Sequence, residues 1–204
     1  MITDETLLSL PKLRRLSLSY NEVISNRSVS LLTDLVCLDL IRNDLITDQS
    51  VSRLTSLTCL NLSYNNTITD YGIRPLTNLK KLDIMCNELI TSQTISLLPN
   101  LISLDLGINE VINRLPTSLR FLDLTANSII NDNVLSTMTN LFSLSLNRNE
   151  IISDQGISLL TNLVILHLDN NSEITNEGIR LLTKLENISL VNNHTINRTF
   201  VFSF

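Results

Sequence analysis

Three sets of side chains in this 204-residue sequence could do chemistry: the thiols of Cys37, Cys59 and Cys86, a recurring set of aspartates, and His167 two residues before Asp169. A thiol pair could form a disulfide or hold a soft metal ion. With no Cys-x-x-Cys and too few partner ligands, no metal site and no cofactor is expected. Ser145, His167 and Asp169 are the residue types of an acyl-transfer triad. Such a triad also needs oxyanion donors and a site that excludes water. There is no Gly-rich phosphate loop and no His-Glu-x-x-His metal motif. No catalytic residue is assigned, and the protein is expected not to be an enzyme. The aspartates Asp39, Asp83, Asp105 and Asp123 each sit between two aliphatic residues, so they alternate with buried positions and face solvent together. What they can do depends on the elements that carry them.

Those elements are repeats, which are sought first because they decide the architecture. A ladder of asparagines marks them: Asn21, Asn43, Asn65, Asn87, Asn109, Asn127, Asn149, Asn171 and Asn193, always 22 residues apart except for one step of 18 between Asn109 and Asn127. Each Asn closes the same phrase: Leu13-x-x-Leu16-x-Leu18-x-x-Asn21, Leu57-x-x-Leu60-x-Leu62-x-x-Asn65, Leu163-x-x-Leu166-x-Leu168-x-x-Asn171. Only Ile84 and Ile188 replace Leu in these columns, and an Ile follows every Asn by three positions. The alternation predicts a short strand with one buried face, and strands recurring through crossovers must pair in parallel. The repeated Asn has both donors and an acceptor in its side chain. Buried at the bend after the strand, it can satisfy backbone groups that would otherwise be left without partners.

The nine-fold phrase resembles the leucine-rich repeat family along the whole chain. The second half of each unit, as in Ile68-Thr-Asp-x-Gly72-Ile73-x-x-Leu76, is similar to the cysteine-containing repeats of F-box proteins, with Asn in place of Cys. The Ile lies one position further from the Asn than in bacterial internalins. The resemblance implies an α/β fold: a right-handed leucine-rich repeat solenoid forming a horseshoe or arc. Its parallel β-sheet lines the concave face, and short helices or 3₁₀ turns line the convex face. One domain spans 1–204, with a half repeat at 1–12, repeats over 13–192 and an incomplete last unit at 193–204 that caps the C-terminal end.

The convex segments carry their own signals. Thr47-Asp48, Thr69-Asp70 and Ser153-Asp154 are helix N-cap types, so a short turn should begin there. Ile73 with Leu76, and Ile157 with Leu160, are i, i+3 neighbours that face the core. In the short unit, Asn113-Arg-Leu-Pro116-Thr-Ser118 replaces the helical segment, and Pro116 suits an extended or turn-like wall. A solenoid exposes core at uncapped ends. Ile2, Leu7, Leu10 and Leu13 continue the core columns and can shield the first strand in part. Phe200, Phe202 and Phe204 at the other end would cover the last repeat or associate with another copy.

The outward strand positions define the expected binding face. The acidic column of Asp39, Asp83, Asp105 and Asp123 is flanked by Ile41, Lys81, Met85 and Phe121, which suits a basic, partly apolar protein or peptide. Like charges at strand spacing, roughly 5 Å, repel one another though solvent screens them. Tyr20 and Tyr64, two repeats apart, are too distant to stack. Composition excludes much else. The chain holds 42 Leu, 22 Ile and 25 Asn but one Ala, with 17% charged residues and a formal net charge of −5. It can bury a core, so it is not disordered. It has no basic patch for phosphate contacts, so no nucleic acid is expected. No apolar run is long enough to span a membrane. The N-terminus does not read as a signal peptide, and the unpaired thiols fit a reducing compartment, so an intracellular, cytoplasmic location is expected.

The family resemblance implies a non-enzymatic protein-interaction scaffold that binds a protein or peptide on its concave face, as a monomer or a weak homodimer through its ends. Two alternatives are a structural protein that self-associates through uncapped ends, and the substrate-recognition subunit of a ubiquitin-ligase-like or host-interaction assembly.

Overall fold

The computed structural model describes residues 2–197. The chain divides into two compact units, Met1–Leu101 and Ile102–Phe204. The first unit alternates helix and strand: α1 (Asp4–Leu8), β1 (Arg15–Ser17), α2 (Asn26–Val29), β2 (Cys37–Asp39), α3 (Asp48–Val51), β3 (Cys59–Asn61), α4 (Asp70–Ile73), β4 (Lys81–Asp83) and α5 (Ser92–Ile95). Its strands pair in parallel, each with the next, and the 22-residue step keeps like positions opposite one another: Arg15 faces Cys37, Cys37 faces Cys59, and Cys59 faces Lys81.

The second unit holds β5 (Ser103–Asp105), β6 (Phe121–Asp123), α6 (Asp132–Leu135), β7 (Ser143–Ser145), α7 (Asp154–Ile157), β8 (Ile165–His167), α8 (Asn176–Ile179) and β9 (Asn187–Ser189). These strands are parallel too, and the short unit does not break their register, since Ser103 still faces Phe121. Among the described residues, no helix lies between β5 and β6. The segment around Pro116 is non-helical, as its sequence predicts. The fold class is α/β, a leucine-rich repeat solenoid with parallel strands and short helices.

The core of each unit is a set of columns. Leu60, Leu62, Ile68, Ile73 and Leu76 are all 0% exposed, and so are Leu144, Leu146, Ile152, Ile157 and Leu160. Each such side chain contributes about 1.5–3 kcal/mol by leaving water. The half repeat covers the first strand only in part. Leu7 is buried, but Ile2 and Leu10 are exposed, and Leu13 and Leu16 remain half-buried.

The ladder asparagines do what their chemistry suggests. Asn43 donates from Nδ2 to the carbonyls of Leu18 (2.9 Å) and Asn21 (3.1 Å) in the repeat before. Its Oδ1 accepts from the amides of Leu45 (3.1 Å) and Ile46 (2.9 Å) in its own repeat. Asn149 repeats the pattern with Leu124, Asn127, Ile151 and Ile152. Asn87 donates to the Asn65 carbonyl (2.8 Å) and accepts from the amides of Leu89 and Ile90. Asn193 holds the same place at the far end, donating to the carbonyls of Leu168 (3.2 Å) and Asn171 (2.8 Å) and accepting from the amides of Thr195 and Ile196. One side chain thus serves several backbone groups at a bend that has no strand partner for them. The two ends of the ladder depart from full burial. Asn21 is only half-buried, and Asn193 is buried but less completely than the asparagines between them.

A second ladder runs through the convex segments, where short helices begin at Asp48, Asp70 and Asp154 as the sequence predicts. Thr69 and Ser153 are N-caps, accepting from the amides of Tyr71 and Gln155. The acids that follow them do not cap. Asp48 accepts from the Thr69 amide (2.9 Å) and hydroxyl (2.6 Å) of the next repeat, Asp70 likewise from Thr91, Asp132 from Ser153, and Asp154 from Thr175. Thr47 makes no side-chain cap bond of its own, because its hydroxyl accepts from Asn26. The carboxylate reaches forward because a charge-assisted bond to a hydroxyl and an amide is stronger than a neutral one.

The acid also constrains what can stand opposite it. A Cβ added at Gly72 would collide with Asp48 Oδ1, and one at Gly156 or Gly178 with Oδ1 of Asp132 or Asp154. Ser28 and Ser50 occupy the same position in other repeats and donate to Asp4 (2.5 Å) and Asn26 (2.7 Å) instead. Thr94 stands there in the repeat after Asp70, and its buried hydroxyl has no hydrogen-bond partner. The repeat before α6 has no helix and no such acid, and there the position is Val134.

Candidate functional site

The residues that could meet a partner lie on the open face of the strands. In the first unit this face presents Asp39, Ile41, Lys81, Asp83 and Met85, and in the second Asp105, Phe121 and Asp123. The aspartates are half-buried rather than fully solvated. The chain turns after each strand, and an amide two residues on from several of these aspartates bonds back to the carboxylate. Asp39 accepts from the Ile41 amide (3.1 Å), Asp105 from Gly107 (2.9 Å) and Asp123 from Thr125 (2.8 Å). Asn61, in the same column, accepts from Ser63 (2.9 Å) with no charge at all. The acidic column is therefore partly structural, and an amide oxygen can serve in place of a carboxylate.

In the last repeats the same role moves along the strand. Ser145, His167 and Ser189 fill the central column, and the acceptors come two residues later. Asn147 accepts from the amide of Asp169 (2.8 Å), and Asp169 from that of Val191 (2.7 Å) and the hydroxyl of Ser189 (2.6 Å). The Ser189 hydroxyl, the Val191 amide and the charge of His167 hold the Asp169 carboxyl below its ordinary value against the opposing effect of burial. This bonding also answers the triad. Ser145 pairs with Thr125 (3.0 Å) and Asp169 is engaged by the last strand. Among the described residues, no hydrogen bond joins Ser145, His167 and Asp169 into a relay.

The flanking positions differ from one another. Phe121 is exposed, whereas Ile41 and Met85 are half-buried. Lys81 sits 3.1 Å from Asp83 and offsets part of its charge. Tyr20 and Tyr64 do not stack on each other, and Arg42 fills the interval. Its guanidinium lies 5.7 Å from the Tyr20 ring centre and 4.7 Å from that of Tyr64. Cation–π contacts of this kind contribute about 0.5–1 kcal/mol each at exposed sites. The neighbouring Cys86 thiol pushes the Tyr64 phenol above its ordinary range. Sequence reasoning missed this row. Its signal was the alternation of aromatic and Arg just before consecutive ladder asparagines.

Those positions share an uncommon backbone. Tyr20, Arg42, Tyr64, Cys86, Ile108, Ala126, Arg148, Asn170 and Asn192 all have φ between 49° and 57°, and none is Gly. The left-handed turn swings the ladder Asn inward, and it costs a β-branched residue such as Ile108 the most.

A further surface in the second unit was also missed. Ser118, Arg120, Asn140, Phe142, Asn162, Val164 and Lys184 line an open groove of about 450 Å³ beside the strands. Phe142 tilts against Phe121 at 5.7 Å between ring centres, and Arg120 lies 5.6 Å from its ring. The groove floor is held by Asn140 and Asn162, which donate to the carbonyls of Thr117 and Thr139, and by Lys184 on Asn162.

Among the described residues no group of three or more His, Cys, Asp or Glu could hold a metal ion, and no helix is long and apolar enough to cross a membrane. Phe200, Phe202 and Phe204 lie outside the described residues.

Comparison with known proteins agrees with the repeat. A sequence model of the family described as Leucine Rich repeat matches residues 9–33, 53–77 and 76–93. A comparison with curated proteins returned no match. Among solved structures, the chain is similar to an internalin (inlF) from Listeria monocytogenes, with a TM-score of 0.69 and 29% identity over 98% of this chain and 59% of that one. It is also similar to an internalin C2 (inlC2) from the same organism, with a TM-score of 0.67 and 27% identity over 92% of this chain and 84% of that one. The chain thus spans less than two thirds of the first of these internalins.

Proposed function

The chain is a leucine-rich repeat protein, and from that premise we propose that it is a non-enzymatic scaffold that binds a basic, partly apolar protein segment or peptide on the open face of its strands. The observation that carries this reading is the density of anchoring side chains on that face. Asp39, Ile41, Lys81, Asp83 and Met85 lie there in the first unit, and Asp105, Phe121 and Asp123 in the second. The Tyr20–Arg42–Tyr64 row adds the residue types that dominate interface energetics. The charges favour a basic partner, because opposite potentials raise association rates and exclude wrong partners.

The test must remove charge without removing the amide acceptors. Replacing Asp39, Asp83, Asp105 and Asp123 together by Asn does this, since Asn61 fills the same role. Affinity capture from the native cell, with the wild type and this variant side by side, should recover a basic partner with the wild type and lose it with the variant. A partner retained equally by both would move the site off this face. Recovery of the protein alone, with mass rising with concentration, would favour self-association through the ends. Capture of ligase subunits or of host proteins would favour the recognition-subunit alternative.

A further inference from the structure

We propose that the groove of the second unit binds an extended acidic peptide in which two carboxylates flank an apolar residue, in the order acid-x-apolar-x-acid. Arg120, Phe142 and Val164 form one row of this groove, and Asn140, Asn162 and Lys184 a second. The first row is also a backbone ladder. The Phe142 amide donates to the Arg120 carbonyl (2.8 Å) and the Val164 amide to the Phe142 carbonyl (2.9 Å). Those backbone groups are already used, so a ligand is held by side chains.

Charge sets this groove apart. The chain has a formal net charge of −5, yet no Asp or Glu lines the groove. Among the described residues neither Arg120 nor Lys184 pairs with a carboxylate. Neutral partners place both cations. The Arg120 guanidinium lies 5.6 Å from the Phe142 ring centre. Contact with a ring face uses no N–H, so its five donors remain for a carboxylate. Lys184 donates to Asn162 Oδ1 (2.6 Å) and keeps two further donors. Asn162 and Asn140 are fixed in turn by donating to the carbonyls of Thr139 (3.0 Å) and Thr117 (3.1 Å). Glu186 follows Val164 along the first row and is exposed, which bars further acids beyond Lys184.

Spacing sets the order. Arg120 precedes β6 and Lys184 precedes β9, and the strands between are paired in register. Three strand spacings of roughly 4.8 Å put the two cations about 14 Å apart. An extended peptide advances about 3.3 Å per residue and turns every second side chain to the same face. Residues i and i+4 therefore reach the two cations, and residue i+2 falls on Phe142 and Val164. Phe142 is backed by Phe121 at 5.7 Å, which stiffens the apolar floor. A single-stranded nucleic acid also combines charge with stacking, but two cations neutralise few phosphates and the net charge of the chain repels the rest.

The experiment is an NMR titration of the isotope-labelled full chain at low salt with the capped peptide Gly-Glu-Ser-Phe-Ser-Glu-Gly. The amides of Phe142 and Val164 and the side-chain amides of Asn140 and Asn162 should shift together, with a dissociation constant of about 1 mM or tighter. Arg120→Gln and Lys184→Gln should each weaken binding about three- to fivefold, as exposed ion pairs do. Both residues are exposed and Asn162 holds the Lys184 position one repeat earlier, so both variants should fold, and their spectra check this. Asp105→Asn with Asp123→Asn removes charge on which the open-face reading depends and should not weaken this peptide, so the two readings fail separately. The proposal is overturned if the peptide with Gln for both Glu binds equally well, if one with the two Glu adjacent does so, or if the two cation variants bind like the wild type. It is also overturned if oligothymidylate displaces the peptide at a lower concentration than the unlabelled peptide does, or if the groove signals shift with protein concentration alone, which would make the occupant a second copy.

Discussion

Changing Asn43 to Asp replaces one donor group by an oxygen and leaves the size of the side chain unaltered, so its cost measures the ladder directly. In the native chain the Asn43 amide nitrogen donates to two carbonyls at 2.9 and 3.1 Å, inside a residue that is 0% exposed. The substitution removes both bonds and sets a carboxylate oxygen against both carbonyls. The Leu18 carbonyl keeps the Asn21 amide at 3.0 Å, which softens the loss on that side. Each unpaired buried group costs about 1–3 kcal/mol, and with the buried charge the loss should be about 4 kcal/mol. Asn21 provides the internal control. Its Oδ1 accepts from the amides of Val23 (3.0 Å) and Ile24 (2.7 Å), and among the described residues its Nδ2 has no ladder carbonyl to donate to. Asn21→Asp keeps the acceptor and should change stability by no more than about 0.5 kcal/mol. The assay is urea unfolding followed by circular dichroism, with amide exchange at Ile24 and Ile46 to localise the loss. Acid adds a signed check. Burial raises the folded pKa of the introduced carboxylate, so the deficit of Asn43→Asp should shrink as pH falls towards 4. Equal costs for the two substitutions would refute the donor argument.

Three other perturbations follow from the same geometry. Gly72→Ala forces a methyl against Asp48 and should cost about 1–3 kcal/mol, with Gly72→Ser milder because its hydroxyl can donate to the acid as Ser28 does to Asp4. A double-mutant cycle with Asp48→Ala should show positive coupling, and strict additivity would sink the clash. Ile108→Asn should raise stability by about 0.5–1 kcal/mol, since Ile108 is 47% exposed at φ 53° while Asn170 and Asn192 accept the same conformation; a lower melting temperature would contradict this. The carboxyl of Asp169 sits below its ordinary value, so the stability it lends is present above the ordinary carboxylate range and lost as pH falls through the depressed value. Exchange of the Val191 amide should therefore accelerate in acid, and Ser189→Ala should move that acceleration to higher pH; an unchanged profile would show the bond to be idle.

The Leu and Asn columns were legible because both are fixed by periodicity. Leu60 and Leu62 face inward by alternation alone, and only a polar side chain with both donors and acceptors recurs at a buried bend. The same periodicity could not show that Asn21 would be left half-open, since that depends on what lies before it in space. The convex acids were not legible. Ser153-Asp154 reads as a cap in either position, and a local pattern cannot say that the acid serves the next repeat. Gly72, Gly156 and Gly178, each 24 residues beyond an Asp, were the available hint. On the open face, alternation placed Asp39 and Asp123 outward but could not show that each accepts an amide of its own chain. The Arg42 contact was hidden because two tyrosines a double repeat apart are judged as a pair, whereas the intervening residue decides whether they are joined.

The forward reach of the convex acids gives the repeats an order. A repeat with Gly or a small hydroxyl residue opposite the acid is suited to follow one that carries Asp, as Gly178 follows Asp154 and Ser28 follows Asp4. A repeat with Val in that place is suited to follow one that lacks the acid, as Val134 does. Exchange of whole repeats between such positions would set a carboxylate against a valine. Gene duplication and unequal recombination, which work most easily on uniform tandem arrays, would be filtered here by a nearest-neighbour grammar. The tolerated unit of rearrangement is then a pair of adjoining repeats rather than a single one.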